Sequence, residues 1–305
     1  MRILTLFLDG IGLGEDNPEI NPFAAANTPI MRELSNGKRW VANTGIQESE
    51  RAIFIPTDAR LDIHGRPQSG TGQASLLTGL NVPKLIGRHY GPKPDAKTRE
   101  IIAEHSAFRR LTQRGKSARL LTAYPPGLLA DFARGKTLRS SIQQAAFASG
   151  FPHFTLDDVI QKRALTAEWT TDSWRNYLKI PDLPTYSARE AGCLLAKLAR
   201  QFDFSFHSHW LTDRIGHRGT LKRGIETLER FDAVLRGLLD EWDDTEGLVV
   251  ITSDHGNMED LSSRRHTLND VPTVIIGERA AEFAEGYSSL TDFVRACDRM
   301  LSDHA

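Results

Sequence analysis

Two cysteines in 305 residues, Cys193 and Cys297, sit in helical-looking stretches without Cys-x-x-Cys or Cys/His spacing. That sets aside a disulfide framework and a thiolate zinc site. Long apolar runs are missing too: no segment approaches the roughly 18 residues that a membrane span needs. The first apolar stretch, residues 3–8, is about half as long as the apolar part of a signal peptide and runs into Asp9 with no small-residue cleavage site. There is no internal repeat, no low-complexity tract and little net charge, −1 overall. What remains is an ordinary globular composition, 40% hydrophobic and 25% charged, for which a cytoplasmic enzyme is the expectation. The length allows one large α/β domain, or a core with a smaller insert.

The small net charge hides an uneven distribution. Residues 81–200 hold 20 Lys and Arg against 10 Asp and Glu, leaving 18 against 29 elsewhere. A basic middle between acidic ends fits an acidic, metal-holding core facing a segment that attracts an anionic substrate. It also fits a plain solvated surface. It is not a nucleic-acid signature, because the charges are dispersed and no recognition motif accompanies them.

Short apolar or alternating runs predict strands at 2–8, 202–208, 247–252 and 271–276. Helical spacing predicts helices at 30–36, 95–114, 187–201, 220–241 and 289–301, the third opened by a Ser187/Glu190 capping box. This alternation points to an α/β fold with a mostly parallel sheet between helices. Residues 83–185 differ, being basic and carrying proline at 83, 92, 94, 125, 126, 152, 181 and 184. The expected organisation is a discontinuous catalytic core, 1–82 and 186–305, with 83–185 inserted as a cap.

The chemistry lies where strands end. Asp9 follows the first strand in "LFLDGIG", at the carboxyl edge where parallel α/β sheets place their sites. Asp213 and His217, four residues apart in "TDRIGHRG", share a helical face after the second predicted strand. Asp254 and His255 follow the third in "VVITSDHGN", and His266 precedes the last. Three imidazoles and three carboxylates form an N/O ligand set suited to Zn²⁺ or Mn²⁺. Because Asp254 and His255 are adjacent, they can point at different ions, which predicts two divalent metal ions.

These stretches, with "NPFAAANTPIMRELSNG", "TSDHGNMED" and "HTLNDVPTVIIG", resemble the alkaline phosphatase superfamily. The nearest branch is that of the cofactor-independent phosphoglycerate mutases and phosphopentomutases. The resemblance covers about 1–80 and 186–305. It implies one ion held by Asp213, His217 and His266. It implies a second held by Asp9, Asp254, His255 and a nucleophilic Ser or Thr. In "PQSGTGQASLLTGLN" either Ser69 or Thr71 can serve, and Ser69 fits the family pattern, with Gly72-Gln73 after it and Thr78-Gly79 closing the motif. A nucleophile at a helix N-terminus would have free amides beside it for phosphate oxygens. The implied activity is metal-dependent phosphoryl transfer through a phosphoserine, on a small phosphorylated substrate. The second attack comes from water in a phosphatase or phosphodiesterase, and from a substrate hydroxyl in a mutase. The mutase's longer insert, with its substrate-gripping arginines, has no counterpart in 83–185. A non-catalytic homologue acting as a binding module is the alternative of another class.

In "LIGRHYGPKP", Arg88, His89 and Lys93 are candidate substrate contacts. Arg109 and Arg110 read as solvated helix surface. His207 and His209 alternate along one strand and read as strand packing, while His64, His105, His153 and His304 have no partner pattern. Trp169, Trp174 and Tyr177 are candidates for the inner face of the cap or for core. Oligomeric state is not legible.

Overall fold

The computed structural model describes residues 1–180 and 182–302. Seven strands form one sheet among them: β1 (Arg2–Leu8), β2 (Gln47–Glu48), β3 (Ala52–Thr57), β4 (Ala118–Leu120), β5 (Phe204–His209), β6 (Gly247–Thr252) and β7 (Val271–Ile276). Their order is β2-β3-β7-β6-β1-β5-β4. β6, β1, β5 and β4 run parallel, whereas β7 pairs antiparallel with β6 and β3.

Each central strand is buried on both faces, and its side chains alternate between two cores. From β1, Leu4, Leu6 and Leu8 enter one core and Ile3 and Phe7 the other. From β6, Val249 and Ile251 take the first and Leu248 and Val250 the second. Helices Pro29–Leu34, Ala188–Ala199 and Leu221–Glu241 cover the first core. Helices Ser69–Thr78, Ala96–His105, Ala107–Gln113, Ser141–Ala148 and Asp292–Leu301 cover the second. The expected capping box is formed: Ser187 N–H donates to Glu190 Oε2 at 2.8 Å, and Glu190 N–H to Ser187 Oγ at 3.2 Å. The helix expected at 95–114 is two helices, because Ser106 leaves helical geometry (φ −63°, ψ 147°) and caps the second. Among the described residues no helix is long and apolar enough to cross a membrane.

Residues 83–185, expected as an insert, share the sheet and the second core. They supply its edge strand β4, paired with β5 from Ala118↔Phe204 to Leu120↔Phe206. They also supply Ile102, Phe108, Leu111 and Ile142, all buried among the residues of that core.

The register of the central strands sets where their loops begin. Leu8 of β1 lies beside His209 of β5, and Phe7 beside Thr252 of β6. Three parallel strands therefore end level, and the chains leaving them start from one edge.

Candidate metal centre

From that edge Asp9 turns directly off β1, its N–H donating to the His209 carbonyl at 2.9 Å. Gly10 has φ +67°, and a Cβ there would lie 2.8 Å from Asp213 Oδ1. Only glycine lets the two loops approach so closely. Asp213 and His217 stand one turn apart on the helix Leu211–Arg218, with His217 Nε2 3.5 Å from Asp213 Oδ1. Asn257 Nδ2 donates to Asp213 Oδ1 at 2.7 Å and fixes its orientation. Asp254 and His255, fully buried, follow β6. His266 arrives from the loop before β7, its Nε2 3.5 Å from Asp213 Oδ1 and 3.1 Å from His217 Nε2.

The three imidazoles share one arrangement. The Nδ1 of His217, His255 and His266 faces the carbonyls of Arg264, Gly256 and Pro67 at 3.1, 3.3 and 2.7 Å. With the proton assigned to Nδ1 by those carbonyls, each Nε2 lone pair points inward. Two ligand groups result, Asp213 with His217 and His266, and Asp9 with Asp213 and His255, with donor atoms in each within 4.8 Å of one another. Asp213 is common to both. Asp254 adjoins the second, its Oδ2 3.6 Å from His255 Nε2.

The electrostatics of the bare cluster are unfavourable, and this tests its fitness for cations. Asp9 Oδ1 and Asp254 Oδ2 are buried without any hydrogen-bond partner. Burial, then the charges of Asp254 and Asp213, push the Asp9 carboxyl well above its ordinary range. Burial and Asp213 push Asp254 up to about 7. Burial alone would also raise Asp213, but the neighbouring His266 and His255 and the Asn257 amide hold it at about 2. Burial and His266 push His255 down to about 3. Orphaned carboxylate oxygens facing imidazole lone pairs in a water-poor site are what divalent cations satisfy. The donor set fits such ions.

Ser69 opens the helix Ser69–Thr78, and its Oγ lies 3.0 Å from His255 Nε2. Gln73, one turn later, donates from Nε2 to Asp9 Oδ2 at 3.1 Å. Thr71 is engaged elsewhere: its Oγ1 accepts from Tyr90 N–H at 3.1 Å and donates to the Gln68 carbonyl at 3.3 Å. The amides expected to be free here are partly used, since Thr71 N–H donates to the Tyr90 carbonyl and Gly72 N–H to the Gln68 carbonyl.

Of the basic candidates, Lys93 comes nearest the cluster. Burial lowers its pKa and the Asp9 charge opposes that. A Cβ on Gly70, next to Ser69, would lie 2.9 Å from the Lys93 carbonyl. His89 turns its Nε2 to the Ile63 carbonyl at 3.3 Å, and Arg88 packs its guanidinium 5.1 Å from the Tyr90 ring centre. His207 and His209 stack on Trp169, with ring centres 6.1 and 4.2 Å away. Trp174 is buried in the first core and Tyr177 is exposed. Arg110 pairs with Asp298. His304 lies outside the described residues.

Two residues were not singled out from the sequence. Arg66 donates from Nη1 to the His266 carbonyl at 2.5 Å. Glu259 is a buried carboxylate that ties the loop after β1 to the β6–β7 connection and folds that connection on itself. It accepts from Gly12 N–H at 2.9 Å, Asn257 N–H at 2.7 Å, Asn269 Nδ2 at 3.0 Å and the Thr267 hydroxyl. Cβ atoms on Gly12 and Gly256 would lie 2.3 and 2.2 Å from its Oε1. The only hint in the sequence is the cluster of glycines around the strand ends, which needs the fold to be read.

Residues 184–297 match the family model described as the Metalloenzyme superfamily, a span that includes Asp213, His217, Asp254, His255 and His266. Part of the chain is similar to the 2,3-bisphosphoglycerate-independent phosphoglycerate mutase of Methylobacillus flagellatus, 32% identical over 104 residues, 32% of this chain and 20% of that one. The enzyme of the same name from Thiobacillus denitrificans is 31% identical over 113 residues, 34% of this chain and 22% of that one. The matched stretch thus spans about a fifth of these relatives' length. Over the whole fold, a protein from Pyrococcus horikoshii superposes with TM-score 0.57 at 18% identity, covering 100% of this chain and 98% of its own. A cold-active alkaline phosphatase from Shewanella superposes with TM-score 0.52 at 11% identity, covering 99% and 100%. The mostly parallel sheet between helices is thus a fold shared with the Shewanella alkaline phosphatase, and the C-terminal part carries the match to the metalloenzyme model.

Proposed function

We propose that this protein is a metal-dependent phosphoryl-transfer enzyme that acts on a small phosphate ester through a phosphoserine on Ser69. The observation that carries the reading is the hydroxyl of Ser69 at 3.0 Å from His255 Nε2, on the rim of three inward imidazoles and three carboxylates. Asp213, His217 and His266 would hold one divalent ion, Zn²⁺ or Mn²⁺. Asp9, Asp254, His255 and Ser69 would hold the other. When bound, such ions supply the positive charge that makes a serine hydroxyl acidic and offsets the charge on the phosphoryl oxygens.

The chain's own groups do the rest. Ser69, on the first turn of a buried helix, presents a fixed Oγ and gives up its proton as that oxygen bonds to phosphorus. The bond from phosphorus to the ester oxygen breaks, and the alcohol leaves with a proton. Lys93, half-buried beside the helix, supplies a cation for the phosphoryl oxygens. Gln73 holds Asp9, Asn257 holds Asp213, and the three backbone carbonyls aim the imidazoles. Water, or a second hydroxyl of the substrate, then attacks the phosphoserine and frees Ser69.

Hydrolysis is the preferred second step, because the sequence of 83–185 has no counterpart to the mutases' substrate-gripping arginines. The mutase reading, favoured by the names of the relatives, differs only in which oxygen attacks. The complete ligand set argues against a non-catalytic binding module. The deciding experiment is release of phenol from aryl phosphomonoesters and phosphodiesters by metal-stripped protein, with Zn²⁺ or Mn²⁺ added back. Metal-dependent release supports the proposal. Absence of turnover together with absence of metal binding overturns it.

A further inference from the structure

Opposite the metal rim, beside the edge strand β4, lies a cavity of about 400 Å³. Phe202, just before β5, lines it, as do Ser117 and Ala118 at the start of β4. It is therefore at the other end of the strands from Asp213. Phe151, Phe154 and Phe202 form apolar walls, and Lys116, Arg119 and Arg163 bring positive charge. No acidic side chain lines it. Its volume falls in the range of small-molecule sites.

Arg119 is the informative residue. Its guanidinium lies 4.1 Å from the Phe154 ring centre and is half-buried. Among the described residues it makes no hydrogen bond and no ion pair. Arg163, by contrast, is held by Asp158 Oδ1 at 2.8 Å. A guanidinium has five donors and stacks on aromatic faces, so one that is half removed from water and has no acceptor is incomplete. Burial lowers the Arg119 pKa and the nearby Asp158 charge, already paired with Arg163, opposes that; burial, then Arg139 and Arg119, push His153 down to about 4. The basic excess of the chain's middle thus has a local focus, with aromatic walls and a guanidinium that, among the described residues, has no hydrogen-bond acceptor.

We propose that this cavity is a second ligand site, independent of the metal centre, for a planar aromatic anion of mononucleotide size. The ring would lie against Phe151 and Phe202, the half-buried rings of the wall, and the anionic group would meet Arg119 and Arg163.

The test is calorimetric titration of the full chain with AMP, run in metal-stripped Ser69→Ala protein so that the metal centre neither turns the probe over nor holds it through metal. The expected result is saturable binding that weakens about tenfold or more in Arg119→Gln, with adenosine and inorganic phosphate each about tenfold weaker than AMP. Arg163→Gln, on an exposed side chain, is expected to weaken binding severalfold and serves as the second variant if Arg119→Gln does not fold. Absence of saturation up to about 10 mM AMP would overturn the proposal. So would affinity unchanged by both substitutions, or inorganic phosphate binding as tightly as AMP.

Discussion

Two groups of histidines lie on β5 and beyond the strand ends, and have opposite uses. His207 and His209 sit on β5 itself and stack on Trp169. Burial pushes their imidazoles down to about 3 and about 4, and among the described residues no carboxylate pairs with them. His217, His255 and His266 sit on the segments beyond the strand ends, with Nδ1 on a backbone carbonyl and Nε2 among Asp9, Asp213 and Asp254. Burial is common to His209 and His255. What separates a core histidine from a ligand is what its Nε2 meets: no polar partner in the first group, carboxylate oxygens in the second.

The largest expected effect is at the nucleophile. Ser69→Ala lowers kcat by about three orders of magnitude or more while metal content, measured by elemental analysis, is kept. Thr71→Ala, whose hydroxyl bonds Tyr90 and Gln68, keeps turnover and costs stability instead.

Glu259→Gln sharpens the contrast one step out from the ligands. The carboxylate holds the loops of Gly12, Asn257 and Thr267 together, so its loss lowers metal affinity about 10–100-fold with the fold intact by circular dichroism. His209→Gln leaves metal affinity unchanged. Loss of metal in that variant would break the division between the two groups.

Lys93→Met tests the substrate side. Losing a charge-assisted contact worth about 1.5–3 kcal/mol raises KM for a phosphate monoester about tenfold or more. Metal content does not change.

The smallest effect concerns acid stability. With folded pKa values of about 3 and 4 against an ordinary value of about 6.5, His207 and His209 bind fewer protons folded than unfolded. Their contribution is present above pH ~6.5 and is lost as pH falls toward the folded values. In metal-stripped protein, the Tm of His209→Gln between pH 7 and pH 5 falls less than that of the parent, by a few degrees (~2–4 °C).

The legible and illegible parts of the chain divide along the same physical line. β1, β5, β6 and β7 are continuous apolar or alternating runs, so their ends, and the Asp and His residues beyond them, could be placed from spacing. β3 carries Pro56, which argues against a strand until its register opposite Pro272 is seen. β4 is three residues long, too short for periodicity to register, and without it 83–185 reads as a separate cap. Glu259 was invisible because its partners, Gly12 from the loop after β1 and Asn257, Thr267 and Asn269 from the irregular β6–β7 connection, are brought together only at the folded sheet edge. Lys93 was legible as one of several cations, and the packing of its loop against Gly70 is what distinguishes it from Arg88 and His89.

The central claim is a covalent phosphoserine at the metal rim. It is tested most directly by incubating the metal-loaded protein with an aryl phosphate, quenching in acid and mapping phosphopeptides by mass spectrometry. The account predicts phosphate on Ser69, dependent on added Zn²⁺ or Mn²⁺ and absent in Ser69→Ala. Steady turnover with no phosphate on Ser69, retained in Ser69→Ala, would contradict it.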